Sequence, residues 1–238
     1  MQQFYFLRDS LLPEHIGVFP QVEKLHDGFH TQNRFALWLA PSANQLPQAK
    51  GISLKHRAKL TDFIIPIQYG TNAALISIKL FELLSSTPAK PWLEADAEVS
   101  LKGKIYPYKF LYFPKGQEEY RDFTHTVFFR YANATAPLEN ITLQNPEELR
   151  AFWEDCQRFN KEVSSRGEKT GAFGVQKVAV RPDAPDFFVL KYQSYRFVVS
   201  ERLKQAMEEA GITGVIFSPI STYEPIDMRL EDRKKATL

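Results

Sequence analysis

The chain of 238 residues carries a net charge of +2, with 44 % hydrophobic and 24 % charged side chains, the balance of a soluble globular protein. A charge so near neutral gives no reason to expect nucleic acid or a membrane surface as partner, and no run approaches the roughly 18 apolar residues of a spanning helix. The single cysteine, Cys156, excludes an internal disulfide and points to a reducing compartment. The opening residues Met1 to Asp9 lack the basic and then apolar pattern of a secretory leader, so a cytoplasmic location is expected.

In chain order, Phe4, Tyr5 and Phe6 predict a first strand. Residues Leu39 to Lys50 read as a loop. Asp62-Phe63-Ile64-Ile65 predicts an extended segment, and Ile76-Ser77 leads into a Ser-capped helix that ends near Ser85-Ser86-Thr87-Pro88. A loop is expected over Thr87 to Trp92. Ile105 to Phe113 has the aromatic composition of a strand, with Pro107 marking an edge or a strand start. Phe123 to Tyr131 predicts another strand. Asn145 can cap a helix with Pro146 at its first position and Glu148 as the acid of a capping box. Leu149, Phe152, Trp153, Cys156, Phe159 and Val163 then recur at helical spacing, so this helix buries one face and Cys156 belongs to its apolar stripe. Val163 to Gly174 reads as a mobile segment or a domain seam. Short strands are expected at Phe187 to Tyr192, Phe197 to Val199 and Val215 to Phe217. A helix from Ser200 stops at Gly211, and a frayed charged tail follows from Arg229.

One pattern occurs twice. Asp62-Phe63 followed by Ile76-Ser77-Ile78-Lys79-Leu80 matches Asp186-Phe187 followed by Val199-Ser200-Glu201-Arg202-Leu203, with the spacing differing by one residue. Each copy reads as an extended segment feeding a Ser-capped helix that packs back on it. The fold class that follows is α+β, with mixed or antiparallel sheets, a few packed helices and two related strand–helix units. The organisation is a single domain over 1–238, or two subdomains, 1–135 and 136–238, joined around the helix 146–163.

Catalytic signatures do not emerge. His26 and His30 are four apart, the spacing of two imidazoles on one helix face, but Gly28 between them argues for a loop, and no metal site is expected. Gly167-Glu168-Lys169-Thr170-Gly171 has the residues of a phosphate loop without its spacing, and no dinucleotide fingerprint is present, so no cofactor is expected. Ser77 and Ser200 lie outside any nucleophile elbow and read as helix caps; Asp62 and Asp186 read as turn residues that start strands. The chain is expected not to be an enzyme. Aromatics make up 13 % of it. Most should fill the core, while some tyrosines could serve as rigid contact residues on a recognition face.

The segment from Phe197 through Ser200, Leu203, Gly211 and Gly214 to Ile220 resembles the C-terminal signature of a family of bacterial immunity proteins found beside polymorphic toxins. Asp62-Phe63, Ile76-Ser77 to Leu84, Trp92-Leu93-Glu94 and Tyr106-Pro107-Tyr108 are similar to the body of that family, so the resemblance covers roughly residues 60–130 and 186–220. It implies an α+β protein that binds and neutralises a cognate toxin by occlusion, with structural roles for Asp62, Ser77, Asp186, Ser200, Leu203, Gly211 and Gly214. Such a protein needs aromatic anchors within a charged rim, for which Tyr106, Tyr108, Tyr192, Tyr195 and Tyr223 are the candidates. A structural or regulatory interaction domain is the alternative, and a small-ligand binder or enzyme with a dispersed polar site is a third reading.

Overall fold

A computed structural model of the chain describes residues 2–24, 46, 49–66, 72–87, 90, 92–114, 116–133, 136–164, 172–191 and 196–222. The elements in chain order are β1 (Phe4–Asp9), α1 (Pro13–Ile16), β2 (Val22–Lys24), β3 (Ala49–Leu54), β4 (Phe63–Ile64), β5 (Ala73–Ser77), α2 (Ile78–Ser85), β6 (Leu93–Leu101) and β7 (Lys104–Tyr112). There follow a 3-10 turn (Glu118–Tyr120), β8 (Val127–Asn133), β9 (Ala136–Ile141), α3 (Pro146–Ser164), β10 (Ala172–Lys177), β11 (Phe187–Leu190), β12 (Arg196–Ser200), α4 (Glu201–Glu209), β13 (Val215–Pro219) and a second 3-10 turn (Ile220–Thr222).

Among the described residues three sheets form: β2-β3-β6-β7-β5-β4, β11-β12-β1-β13 and β10-β8-β9. All pairings are antiparallel except β3 with β6, so the architecture is α+β with one mixed sheet. The four-stranded sheet is buried on both faces. Tyr5, Leu7, Phe187, Val189, Phe197 and Val199 point one way, into a core shared with the six-stranded sheet, α2 and α4. Phe4, Phe6, Phe188, Leu190 and Val198 point the other way, into a core shared with the third sheet and Leu149 of α3. Period-two alternation with both faces apolar explains why these strands read as unbroken hydrophobic runs. The third core, on the far side of the six-stranded sheet, holds Ile52, Leu75, Val99, Phe110 and Tyr112. Where the two large sheets meet, Phe113 lies 4.9 Å from Phe197 and Phe63 lies 5.7 Å from Phe197, both edge to face, the geometry that aromatic quadrupoles favour.

The two related units share one plan. In the first, β4 and β5 pair with Phe63 opposite Ile76; in the second, β11 and β12 pair with Phe187 opposite Val199. Next to β5 lies β7, with Tyr108 opposite Ser77, and next to β12 lies β1, with Phe4 opposite Ser200. β7 in turn pairs with β6, and β1 with β13. Each unit is thus a four-stranded antiparallel sheet in which a helix connects two strands flanking a third. The interval from Ser77 to Leu93 equals that from Ser200 to Ile216, and Leu93 and Ile216 hold matching register positions opposite Tyr112 and Arg8. The units differ in where the inserted strand comes from. β7 follows β6 through a tight turn at Lys102 and Gly103, both with positive φ, whereas the second unit receives its inserted strand from the beginning of the sequence.

The sheet pairings run across residue 135. A division at residue 135 would cut the β8–β9 hairpin and part β1 from the sheet it completes. Pro107 is not at a strand start but lies where β7 has become a local edge. It sits inside β7 opposite Glu98, past Tyr108, the last residue that β5 pairs with, so its missing N–H leaves no gap in that ladder. The stretch 123–126 is a turn held by Asp122, whose Oδ1 accepts from the amides of Thr124 and His125, and β8 begins only at Val127. Residues 172–174, expected as loop, begin β10.

Candidate functional site

The repeated pattern folds into the same bracket twice, at the start of α2 and of α4. The Ser77 hydroxyl donates to Asp62 Oδ1 at 2.6 Å and accepts from the Leu80 amide at 3.2 Å. The Ser200 hydroxyl donates to Asp186 Oδ1 at 2.5 Å and accepts from the Leu203 amide at 3.1 Å. In both, the serine amide donates to the aspartate carbonyl at 2.9 Å. Each serine is therefore the helix N-cap, and each aspartate fixes the hydroxyl that does the capping. Two residues further on a cation faces the aspartate: Lys79 Nζ is 3.5 Å from Asp62 Oδ2, and Arg202 pairs with Asp186 through Nε and Nη2.

Both carboxyls lie below the ordinary carboxylate range. For Asp62, burial pushes upward but is outweighed by the bonds from Ser77 and Thr213 and by the Lys79 charge. For Asp186, burial again pushes upward and is outweighed by Arg202 and the Ser200 hydroxyl. Donors aimed at the charged form explain the direction.

The brackets differ in what they hold. Asp62 Oδ2 accepts from both the amide and the hydroxyl of Thr213, each at 2.8 Å, and Lys79 Nζ donates to the carbonyls of Ala210 and Gly211 at 3.1 and 3.0 Å. The first bracket thus grips the turn that ends α4 in the other unit. Gly211 closes that helix with φ 61°, and the Ile212 amide returns to the Met207 carbonyl at 2.9 Å, a Schellman stop. Gly214, with φ 81°, lies so close that a Cβ there would stand 2.6 Å from Thr61 Cβ and 2.8 Å from the Phe63 carbonyl oxygen. The second bracket borders a groove of about 620 Å³ lined by Gln2, Gln3, Asp186, Glu201, Arg202 and Gln205. Leu203 is buried in the core that both units share.

A third equivalence lies beside the brackets. Lys109 of β7 and Tyr5 of β1 hold matching register positions, opposite Ile76 and Val199. Lys109 Nζ stands 5.2 Å from the ring centre of Phe81 on α2, while Lys204 on α4 stands 5.1 Å from that of Tyr5. The same cation–π contact is built with the partners exchanged between strand and helix.

The tyrosine candidates divide. Tyr108 is buried, with its hydroxyl donating to the Thr61 carbonyl at 2.6 Å, and burial pushes its phenol pKa up; it is a core residue, not a surface anchor. Tyr106 is half-buried near the end of the β6–β7 hairpin, against the core beneath β3 and β6. Tyr192, Tyr195 and Tyr223 lie outside the described residues. Ile105, which sequence reasoning passed over, is 67 % exposed at the hairpin end; it falls on the face opposite that of Tyr106 and Val99.

His26, His30 and the Gly167–Gly171 segment also lie outside the described residues. His15 hydrogen-bonds Ser10 Oγ at 2.8 Å and His125 bonds Asp122 Oδ2 at 2.7 Å. Among the described residues, no group of three His, Cys, Asp or Glu side chains could hold a metal ion, and no helix is long and apolar enough to cross a membrane. No protein-family model matches the chain, and a search of curated proteins finds no match.

Proposed function

We propose that this protein is a bacterial immunity protein that binds a cognate toxin in the cytoplasm and neutralises it by covering the surface the toxin works with. The likeness of the Phe197–Ile220 segment to such proteins supports the reading, and the observation that carries it is the free end of the β6–β7 hairpin. β5 pairs with β7 only as far as Tyr108, so Lys104 to Pro107 run on with one ladder partner. That end combines Ile105, 67 % exposed, with the half-buried Leu101 and Tyr106 and the exposed cations Lys102 and Lys104. An aliphatic and an aromatic group on a rigid hairpin, rimmed by charge, are the elements of an interface anchor.

Co-expression with the product of the adjacent gene tests the reading, scored by growth and by copurification. Rescue from toxicity with a stable complex is expected. Replacing Ile105 by Asp should weaken that complex by about 30-fold or more, the loss of one hot-spot residue. Toxicity unrelieved by the protein, with no complex formed, would refute it.

A further inference from the structure

The two brackets are chemically alike but differently filled. In the first, an aspartate and a cation grip the end of a helix: Lys79 takes the carbonyls of Ala210 and Gly211, and Asp62 takes the amide and hydroxyl of Thr213. The register of the two sheets makes Lys90 the counterpart of Thr213 in the other unit. Lys90 forms no bond to Asp186; its ammonium stands 6.0 Å from the Phe81 ring centre. Among the described residues, Asp186 is met only by its own serine and arginine.

Arg202 is correspondingly outward. Its side chain is 80 % exposed, against 48 % for Lys79, while Asp186 beneath it is 9 % exposed. A cation in the first turn of a helix opposes the helix dipole. In the first unit the carbonyls of the gripped turn answer Lys79; in the second, Nη1 of Arg202 has no such acceptor among the described residues. The groove beside it carries Glu201 and three primary amides, Gln2, Gln3 and Gln205, the last donating to Glu201 Oε1 at 3.0 Å. Each amide offers both donors and an acceptor, the complement of peptide groups. Gln2 and Gln3 continue β1 beyond Phe4, as Tyr106 and Pro107 continue β7 beyond Tyr108.

We propose that the Asp186–Arg202 groove is a docking site for a turn of a partner polypeptide, namely the C-terminal end of a helix followed by glycine and a threonine or serine. Arg202 takes the helix-end carbonyls, Asp186 takes the amide and hydroxyl of the Thr or Ser, and the glutamine amides take the remaining peptide groups. The first bracket, filled from within the chain, is the template for that occupant. The inference does not rest on the toxin reading, since it concerns other residues and holds whichever protein supplies the turn.

The test titrates the ¹⁵N-labelled full chain with a stapled helical peptide copying residues 201–215, which carries the Ala210-Gly211-Ile212-Thr213 turn. Saturable shifts are expected at the side-chain amides of Gln2, Gln3 and Gln205 and at the Arg202 Nε–H, with a Kd of about 1 mM for so small a contact. A peptide carrying Thr213→Val should bind about tenfold more weakly, as should the wild-type peptide to the Arg202→Ala or Arg202→Gln protein. Unchanged amide shifts elsewhere would establish that those variants are folded. No saturable shifts at the groove, or shifts undiminished by Thr213→Val and by both Arg202 variants, would overturn the proposal.

Discussion

Replacing Ser200 by Ala should cost more than replacing Ser77 by Ala, although the two serines do the same job. Ser200 is fully buried, and its hydroxyl both caps α4 and donates to Asp186. Loss of the cap alone costs about 1 kcal/mol. Removing the donor also leaves a buried carboxylate short of a partner, which adds about 1–3 kcal/mol. The remaining partner, Arg202, keeps its two bonds to Asp186, but from a largely exposed side chain that solvent screens. The total of about 2–4 kcal/mol corresponds to a fall in Tm of about 5–10 °C for a chain of this size. Ser77 is only half-buried, and Asp62 keeps both bonds from Thr213. Its loss should therefore stay near the cost of the cap, about 1–2 kcal/mol and a Tm lower by about 2–5 °C. Thermal and urea unfolding of the two variants side by side are the assay. A Ser77→Ala protein destabilised as much as Ser200→Ala would refute the argument that Thr213 backs up the first bracket.

Gly214→Ala should destabilise by more than about 2 kcal/mol, because its Cβ would be driven into Thr61 and Phe63 at a positive φ; Gly103→Ala, with open space around it, should cost about 1 kcal/mol. Because Asp62 and Asp186 have depressed pKa values, the stability they add is fully present above the unfolded-state value of about 3.9 and is lost as pH falls through their lower folded-state values. A double Asp62→Asn, Asp186→Asn variant should accordingly show a flatter acid limb in unfolding midpoints measured from about pH 5 to pH 2. A double-mutant cycle on Tyr5→Leu and Lys204→Met should yield a coupling of about 0.5–1 kcal/mol, and none would mean that the ring and the ammonium are merely adjacent.

Much of the framework is legible in the residues because local chemistry decides it. The Asp, Ser and Leu spacing specifies both capped helices. Asn145 and Glu148 form the expected box, with the Glu148 amide donating to Asn145 Oδ1 at 2.8 Å, although Glu148 Oε2 accepts from the Gln144 amide, one residue before the cap. Leu149 is fully buried as the helical stripe requires, while Phe152, Trp153 and Cys156 are only half-buried. β6 was harder to see. Ala, Asp and Glu are poor strand formers, and β6 is held by pairing along its whole length with β7 and by a parallel neighbour, β3. Neither partnership leaves a trace in its own residues. The grip of Asp62 on Thr213 was illegible for the same reason, since nothing near Asp62 in the chain announces a partner 151 positions away. Tyr108 shows the converse limit: composition identifies an aromatic strand, but only the stacking of sheets decides which rings face inward.

The placement of β1 has a consequence during synthesis. Its outer residue Arg8 bonds Ser218 across a separation of 210 residues. At about 5–20 residues per second, a ribosome needs about 10–40 s to deliver the strands that flank it. Throughout that interval Phe4, Tyr5, Phe6 and Leu7 lack both of their flanking strands, and an unpaired apolar segment is open to mispairing. β4, β5, α2, β6 and β7 are contiguous and can pair while the ribosome is still translating. The nascent chain therefore has a ready half and a waiting half.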